Sequence, residues 1–129
     1  MAQPTFAGLA RIGQINVVVH DLARATAFYR DALGMKFSFE APRMAFFDCE
    51  GIRLLLALPE GEETDHLSSV LYFLVDDIHA ATAALKSRSV TFTSEPHLIA
   101  RMPDHELWMS FFEDSEGNLL ALMSEVRQV

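Results

Sequence analysis

The chain of 129 residues contains one cysteine, one tryptophan and few basic side chains, and no apolar run is long enough to span a membrane. Cys49 therefore forms no intrachain disulfide and no cysteine-rich zinc site. It sits in Phe46-Phe-Asp-Cys-Glu50, which reads as a strand holding an inert thiol. A nucleophilic cysteine needs a positioned base, and none stands nearby in sequence. No stretch approaches the roughly 20 apolar residues of a membrane span. Met1-Ala-Gln-Pro4 also lacks the basic and apolar regions of a secretory leader, so a soluble, cytoplasmic protein without a membrane partner is expected. Ten basic residues against eighteen acidic ones give a net charge of −8, which disfavours phosphate backbones, so no nucleic-acid partner is expected.

Half of the residues are hydrophobic, and the length suits one domain able to bury a core. The organising stretch is Ile12–Gly34, IGQINVVVHDLARATAFYRDALG. Ile15–Val19 is a β-branched run without Pro or Gly, which favours a buried strand. Asp21 then supplies a carboxylate for the free N–H groups of a helix start. Leu22, Ala25, Tyr29 and Leu33 recur at helical spacing, and Gly34 stands where a left-handed helix stop is wanted. One helix over 22–33 is predicted, with Phe28 and Tyr29 in the core.

Three short strands follow, Lys36–Glu40, Arg43–Cys49 and Ile52–Leu58, separated by Ala41-Pro42 and Glu50-Gly51. Residues 59–65, PEGEETD, have no apolar periodicity and read as an exposed linker. The second half repeats the plan. Val70–Val75 is a strand, Asp76 and Asp77 are capping carboxylates, and Ile78, Ala81, Thr82 and Leu85 mark a helical face. Thr91–Thr93, an irregular stretch through Pro96 and Pro103, a strand from about Glu106 to Glu113, a turn at residues 114–117 and a last strand Asn118–Ser124 complete it.

Sliding the sequence by 56 puts Val19 on Val75, Asp21 on Asp77 and Ala25-Thr26-Ala27 on Ala81-Thr82-Ala83; sliding by 66 puts Gly51 on Gly117 and Leu54 on Leu120. The expected fold is α+β. Two βαβββ modules in a single domain of residues 1–129, about 10–58 and about 68–125 with a linker at about 59–67, form a cupped mixed sheet with helices on its outer side. Self-similarity at this period implies that the two modules complete one core together.

Val19-His-Asp-Leu22, Phe28-Tyr-Arg-Asp-Ala-Leu-Gly34 and Phe111-Phe-Glu-Asp-Ser-Glu-Gly-Asn118 resemble the vicinal oxygen chelate superfamily. That superfamily includes glyoxalase I, bleomycin and fosfomycin resistance proteins, methylmalonyl-CoA epimerase and extradiol dioxygenases. It often has Pro at the position of Ser115. The resemblance covers nearly the whole chain and specifies a fold rather than a reaction. Metal-dependent members carry His, Gln or Glu at four inward positions of the cup, donors suited to a divalent ion that polarises vicinal oxygens. The two offsets put these positions at Gln14, Val70, Leu55 and Ala121. One amide among four does not hold a catalytic divalent ion, so no metal and no cofactor are expected. A slip of one residue brings in Ile15, Leu54, Leu56, Leu71, Leu120 and Leu122, which are apolar as well.

If the cup keeps its role, strand alternation lines it with Gln14, Asn16 and Val18; Arg53, Leu55 and Ala57; Val70, Tyr72 and Leu74; and Leu119, Ala121 and Met123. That is an apolar cavity with a few convergent polar groups, as small-molecule sites usually are. Gln14, Asn16, Arg53, Tyr72, His105 and Trp108 are the candidate ligand-binding residues, Trp108 as a stacking wall or else as core or dimer seam. His20, His66 and His79 read as solvated. His97 and His105 flank the irregular stretch, and His105 is the weak catalytic candidate, since imidazole titrates near neutrality.

The resemblance implies a metal-free small-molecule-binding protein, similar to the bleomycin resistance branch. Alternatives are a lyase, isomerase or dioxygenase using unconventional ligands such as Gln14 with His105, or using His105 or Tyr72 as acid/base, and an interaction domain with a vestigial cavity. A homodimer is expected, because members commonly pair and exposed sheet edges gain by pairing.

Overall fold

The computed structural model describes residues 6–127. The leader reading at Met1–Pro4 lies outside them. The first module runs β1 (Gln14–Val18), α1 (Leu22–Ala27) with a π-helical turn (Phe28–Ala32), β2 (Lys36–Ala41), β3 (Met44–Cys49) and β4 (Ile52–Ala57). The second runs β5 (Leu71–Leu74), α2 (Ile78–Ser87), β6 (His97–Arg101), β7 (His105–Glu113) and β8 (Leu119–Arg127). Each sheet has four strands, in the orders β1-β4-β3-β2 and β5-β8-β7-β6. In both, the first strand runs parallel to the last and the remaining pairs are antiparallel. The fold is the expected α+β pair of βαβββ modules. Among the described residues no helix is long and apolar enough to cross a membrane.

Local chemistry explains the boundaries. Asp21 accepts from Arg24 N at 3.1 Å and Asp77 from Ala80 N at 3.1 Å, so each helix begins on its predicted carboxylate. The hairpin between β3 and β4 turns on Glu50 and Gly51, both with positive φ, the conformation that a two-residue loop requires. Gly34, at φ 71°, ends the first helical segment in the left-handed region.

Alternation sorts each strand into two faces. Val17, Val19, Ala45, Phe47, Leu54 and Leu56 of the first module join Ile78, Leu85, Phe112, Leu120 and Leu122 of the second in one buried cluster on the helix side. The modules therefore share a core, as the repeat implies. Tyr29 is fully buried there and its hydroxyl donates to Asp114 Oδ2 at 2.7 Å. Burial first, and then the Asp114 charge, push the Tyr29 phenol well above its ordinary value, so it remains a donor. Asp114 also accepts from Glu116 N, Asn118 N and Asn118 Nδ2 at 2.8–2.9 Å, which shapes the turn between β7 and β8.

The structure corrects three expectations. The helix over 22–33 is α-helical only to Ala27 and then widens into the π turn, where Leu33 N donates to Phe28 O. The stretch read as irregular contains β6: Pro96 and Pro103 bracket it, and although exposure alternates along the strand, the consecutive apolar residues 98–100 hide that alternation in the sequence. Strand β8 continues beyond Ser124 to Arg127.

Candidate functional site

The faces turned away from the helices form the cup surface. In the first module, Gln14 pairs with Arg53, Asn16 with Leu55 and Val18 with Ala57, while Phe46 lies opposite Leu55 and Phe39 opposite Phe46. The row Asn16, Leu55, Phe46, Phe39 crosses all four strands. Phe39 and Phe46 stack with ring centroids 4.4 Å apart and 19° between planes. The Arg53 guanidinium carbon stands 5.5 Å from the Phe46 ring centroid, within cation–π range.

In the second module Tyr72 pairs with Ala121, and Ala121 with Phe111. The row Tyr72, Ala121, Phe111 is the repeat mate of Asn16, Leu55, Phe46. Tyr72 meets Phe111 edge-on with centroids 6.1 Å apart, and His97 lies over the other side of the row, 6.4 Å from Phe111. Leu55 is 9% exposed and Ala121 0%, so the row centres are dry. Their rims are open: Phe39 is 50%, Tyr72 48% and Leu74 66% exposed.

Two cavities border the cup face of the first module. One, of about 570 Å³, is lined by Gln14, Lys36, Phe39, Phe46, Asp48 and Arg53 among others. The second, of about 300 Å³, takes Asn16, Met44, Leu55 and Ala57 together with linker residues Pro59, Glu60 and Thr64. Neither includes Tyr72. Gln14 and Arg53 are thus brought together, Asn16 opens on the adjacent cavity, and Tyr72 belongs to the other module's face.

His105 is the first residue of β7, on the cup side, with its side chain 14% exposed. Its Nδ1 lies 2.7 Å from Asp104 Oδ1 and its Nε2 3.8 Å from Glu125 Oε2. The contact with His105, and next that with Arg127, holds the Asp104 carboxyl below its ordinary range. Trp108 pairs with Ser124 and points to the helix side, where it meets His79 at 5.7 Å and lines a cavity with Asp76, Asp77, Ile78 and Glu106. It donates through Nε1 to Glu106 Oε1 at 3.2 Å. Trp108 and Tyr72 therefore stand on opposite faces of one sheet. Burial, followed by the charges of Glu50 and Asp48, raises the Cys49 thiol, which keeps it protonated.

The four metal positions fall at Gln14 in β1, Leu55 in β4, Val70 just before β5 and Ala121 in β8. Only Gln14 carries a donor atom, so these residues do not fit a divalent ion. Among the described residues no group of three or more His, Cys, Asp or Glu is placed to hold one. Three of the four aromatic members of the two rows, Phe39, Phe46 and Phe111, were not among the sequence-derived candidates. Alternation places Phe46 with Leu55 and Phe111 with Ala121 once the hairpin turns are known.

Paired βαβββ modules with an open concave face on each define the class of fold to which this protein belongs. Residues 11–122 match the Glyoxalase/Bleomycin resistance protein/Dioxygenase superfamily, and the chain is a member of it. It is similar to the crystal structure of lactoylglutathione lyase from Agrobacterium tumefaciens, with a TM-score of 0.72 and 22% identity over 91% of this chain and 95% of that one. A superfamily member from Sphaerobacter thermophilus DSM 20745 has a TM-score of 0.72 and 26% identity over 91% of this chain and 98% of that one. An integron cassette protein from the mobile metagenome of V. cholerae has a TM-score of 0.75 and 19% identity over 93% and 98%. What these share with the present chain is the fold. No curated protein matches the chain significantly.

Proposed function

We propose that this is a cytoplasmic small-molecule-binding protein of the superfamily that works without a divalent metal. The observation that carries the reading is the replacement of three of four donor positions by Leu55, Val70 and Ala121. An apolar cup floor flanked by aromatic rows suits a partly aromatic or amphipathic ligand, held by packing and a few polar contacts. The net charge of −8 argues against nucleic acid as the ligand.

The same reading includes a homodimer. Each module presents an open row with half-exposed Phe39 or Tyr72, and both cavities at the first module's cup are lined without the second module's row. A second copy would close these faces and complete the site. Sedimentation equilibrium at micromolar concentration should return twice the chain mass.

Metal content by elemental mass spectrometry, followed by ligand titration in excess chelator, tests the central claim. Well under a tenth of an equivalent of Zn, Ni, Fe, Mn or Co, with ligand shifts unchanged by chelation, is the expected outcome. Near-stoichiometric metal whose removal abolishes binding would reject it.

One observation favours a second reading. His105 is mostly buried on the cup side and oriented by Asp104, the arrangement of an acid/base imidazole in an isomerase or lyase. Under that reading His105→Ala abolishes turnover of any substrate found, and unchanged turnover removes it.

A further inference from the structure

The first module's cup face holds a cation, Arg53, that makes no ion pair among the described residues. Its cross-strand neighbour Asp48 turns elsewhere: Oδ1 accepts from Gly51 N at 3.2 Å and Oδ2 lies 3.9 Å from Lys36 Nζ. Arg11, Arg24, Arg43 and Arg88 are likewise in no ion pair among the described residues; what sets Arg53 apart is its place on the cup face over an aromatic ring.

Arg53 is also held in place. Its guanidinium lies over Phe46, which stacks in turn on Phe39, so cation, buried ring and half-exposed ring form a continuous column across β4, β3 and β2. The ring restrains the guanidinium plane, so less rotamer entropy is lost when its fork engages a ligand. Gln14 stands directly opposite Arg53 on β1 and adds an amide that both donates and accepts. All four residues line the same cavity of about 570 Å³.

We propose that the first module's cup face binds planar aromatic carboxylates, the Arg53 fork taking the carboxylate and the exposed face of Phe39 taking the ring. A carboxylate matches the guanidinium fork through two parallel N–H···O bonds, and the aromatic body continues the existing stack. The ligand class has the opposite sign to what the overall charge suggests. The chain's negative field slows the approach of an anion, while the local guanidinium selects it once it arrives. This inference rests on the small-molecule reading above and specifies its ligand.

The test uses three probes that share one ring: 1-naphthoate, neutral 1-naphthamide and cationic 1-naphthylmethylamine. Each is titrated into the full chain and followed by NMR at the Arg53 side-chain Nε–H and the backbone amides of β1 to β4. Naphthoate is expected to bind about ten-fold more tightly than either analogue, a common margin for a charge-assisted bidentate pair. Arg53→Gln should remove that margin while leaving the amide's weak binding within about two-fold, and Arg53→Lys should fall between. Phe39→Ala should weaken all three probes. Equal or tighter binding of the amine, or naphthoate affinity unchanged in both Arg53 variants, overturns the proposal. If no naphthalene probe binds but another small molecule shifts the same amides, the carboxylate class fails and the binding function stands. If a broad fragment set shifts no cup-face amide, both fail together.

Discussion

The two helical segments occupy equivalent places in a repeat yet differ by one residue, and the difference has a structural address. From the capping Asp21 to the left-handed Gly34 is thirteen positions; from Asp77 to Ser89, also left-handed at φ 67°, it is twelve. The second helix is regular α throughout. The first absorbs its extra residue by widening into the π turn at Phe28–Ala32, as single insertions in helices do. Within that turn Tyr29 reaches Asp114 in the other module, whereas the second helix places Thr82 against Ser110 of its own sheet at 2.9 Å. One repeat copy thus keeps its buried polar contact at home, and the other uses it to join the halves.

Substitutions that separate the two kinds of contact test this contrast. Asp114→Ala strips the acceptor from one phenol, two backbone amides and one side-chain amide, and should cost about 3 kcal/mol or more in urea unfolding. A loss near that of an exposed surface substitution would mean the turn holds without it. Tyr29→Phe removes only the intermodule donor; about 1–2 kcal/mol is expected, with an unchanged m-value. Should Thr82→Val cost more than Tyr29→Phe, the intramodule contact would be the stronger of the two. Asp77→Ala, which affects only the α2 cap, should cost about 1 kcal/mol and be additive with Tyr29→Phe, since the sites share no partner.

The smallest effect concerns the linker. His20 Nε2 lies 2.8 Å from Asp65 and Nδ1 3.3 Å from Glu116, so one imidazole ties the linker to both modules. The Asp65 hydrogen bond, then that of Glu116, raises its pKa above the ordinary 6.5. A group with a raised folded value stabilises fully below its unfolded value and loses that contribution as pH rises through the folded one. Linker amides near Asp65 should therefore shift as pH rises above 6.5, with little change in melting temperature because the ring is exposed. In His20→Asn that pH response should vanish; a response that persists would assign it to another group.

Much of the frame was legible in the residues themselves. Asp21, Asp77, Gly34, Glu50-Gly51 and the β-branched run at Ile15–Val19 act locally, so their chemistry sets the boundaries whatever surrounds them. The strand β6 was not legible, because its residues 98–100 are apolar whichever face they take and Pro96 and Pro103 flank it, so no period of two shows in the sequence. Nor was the π turn, since Phe28, Tyr29 and Leu33 satisfy an α-helical spacing just as well. In the site, alternation puts Gln14 and Arg53 each on one face of its strand, while their standing opposite one another comes from the β1–β4 register. The same rule counted back from Phe111 puts Trp108 on the far face, so that signal was present in the sequence. What no local rule supplies is the Phe39–Phe46–Arg53 column, which depends on three strands arriving in one register.

The turn at residues 114–117 has a consequence for the order in which the protein becomes itself. Glu116 accepts the backbone N–H groups of His20 and Asp21, and Asp114 accepts the Tyr29 hydroxyl, across separations of 85 to 96 residues. As the chain leaves the ribosome, the first module has its strands and helix but lacks the carboxylates that satisfy its helix entrance and its buried phenol. Those arrive 85 to 96 residues later. The amino-terminal half must wait, incompletely hydrogen-bonded, for the carboxy-terminal hairpin to be made. Folding should then proceed as one late, concerted event, and a nascent chain cut short before residue 114 should remain open to protease.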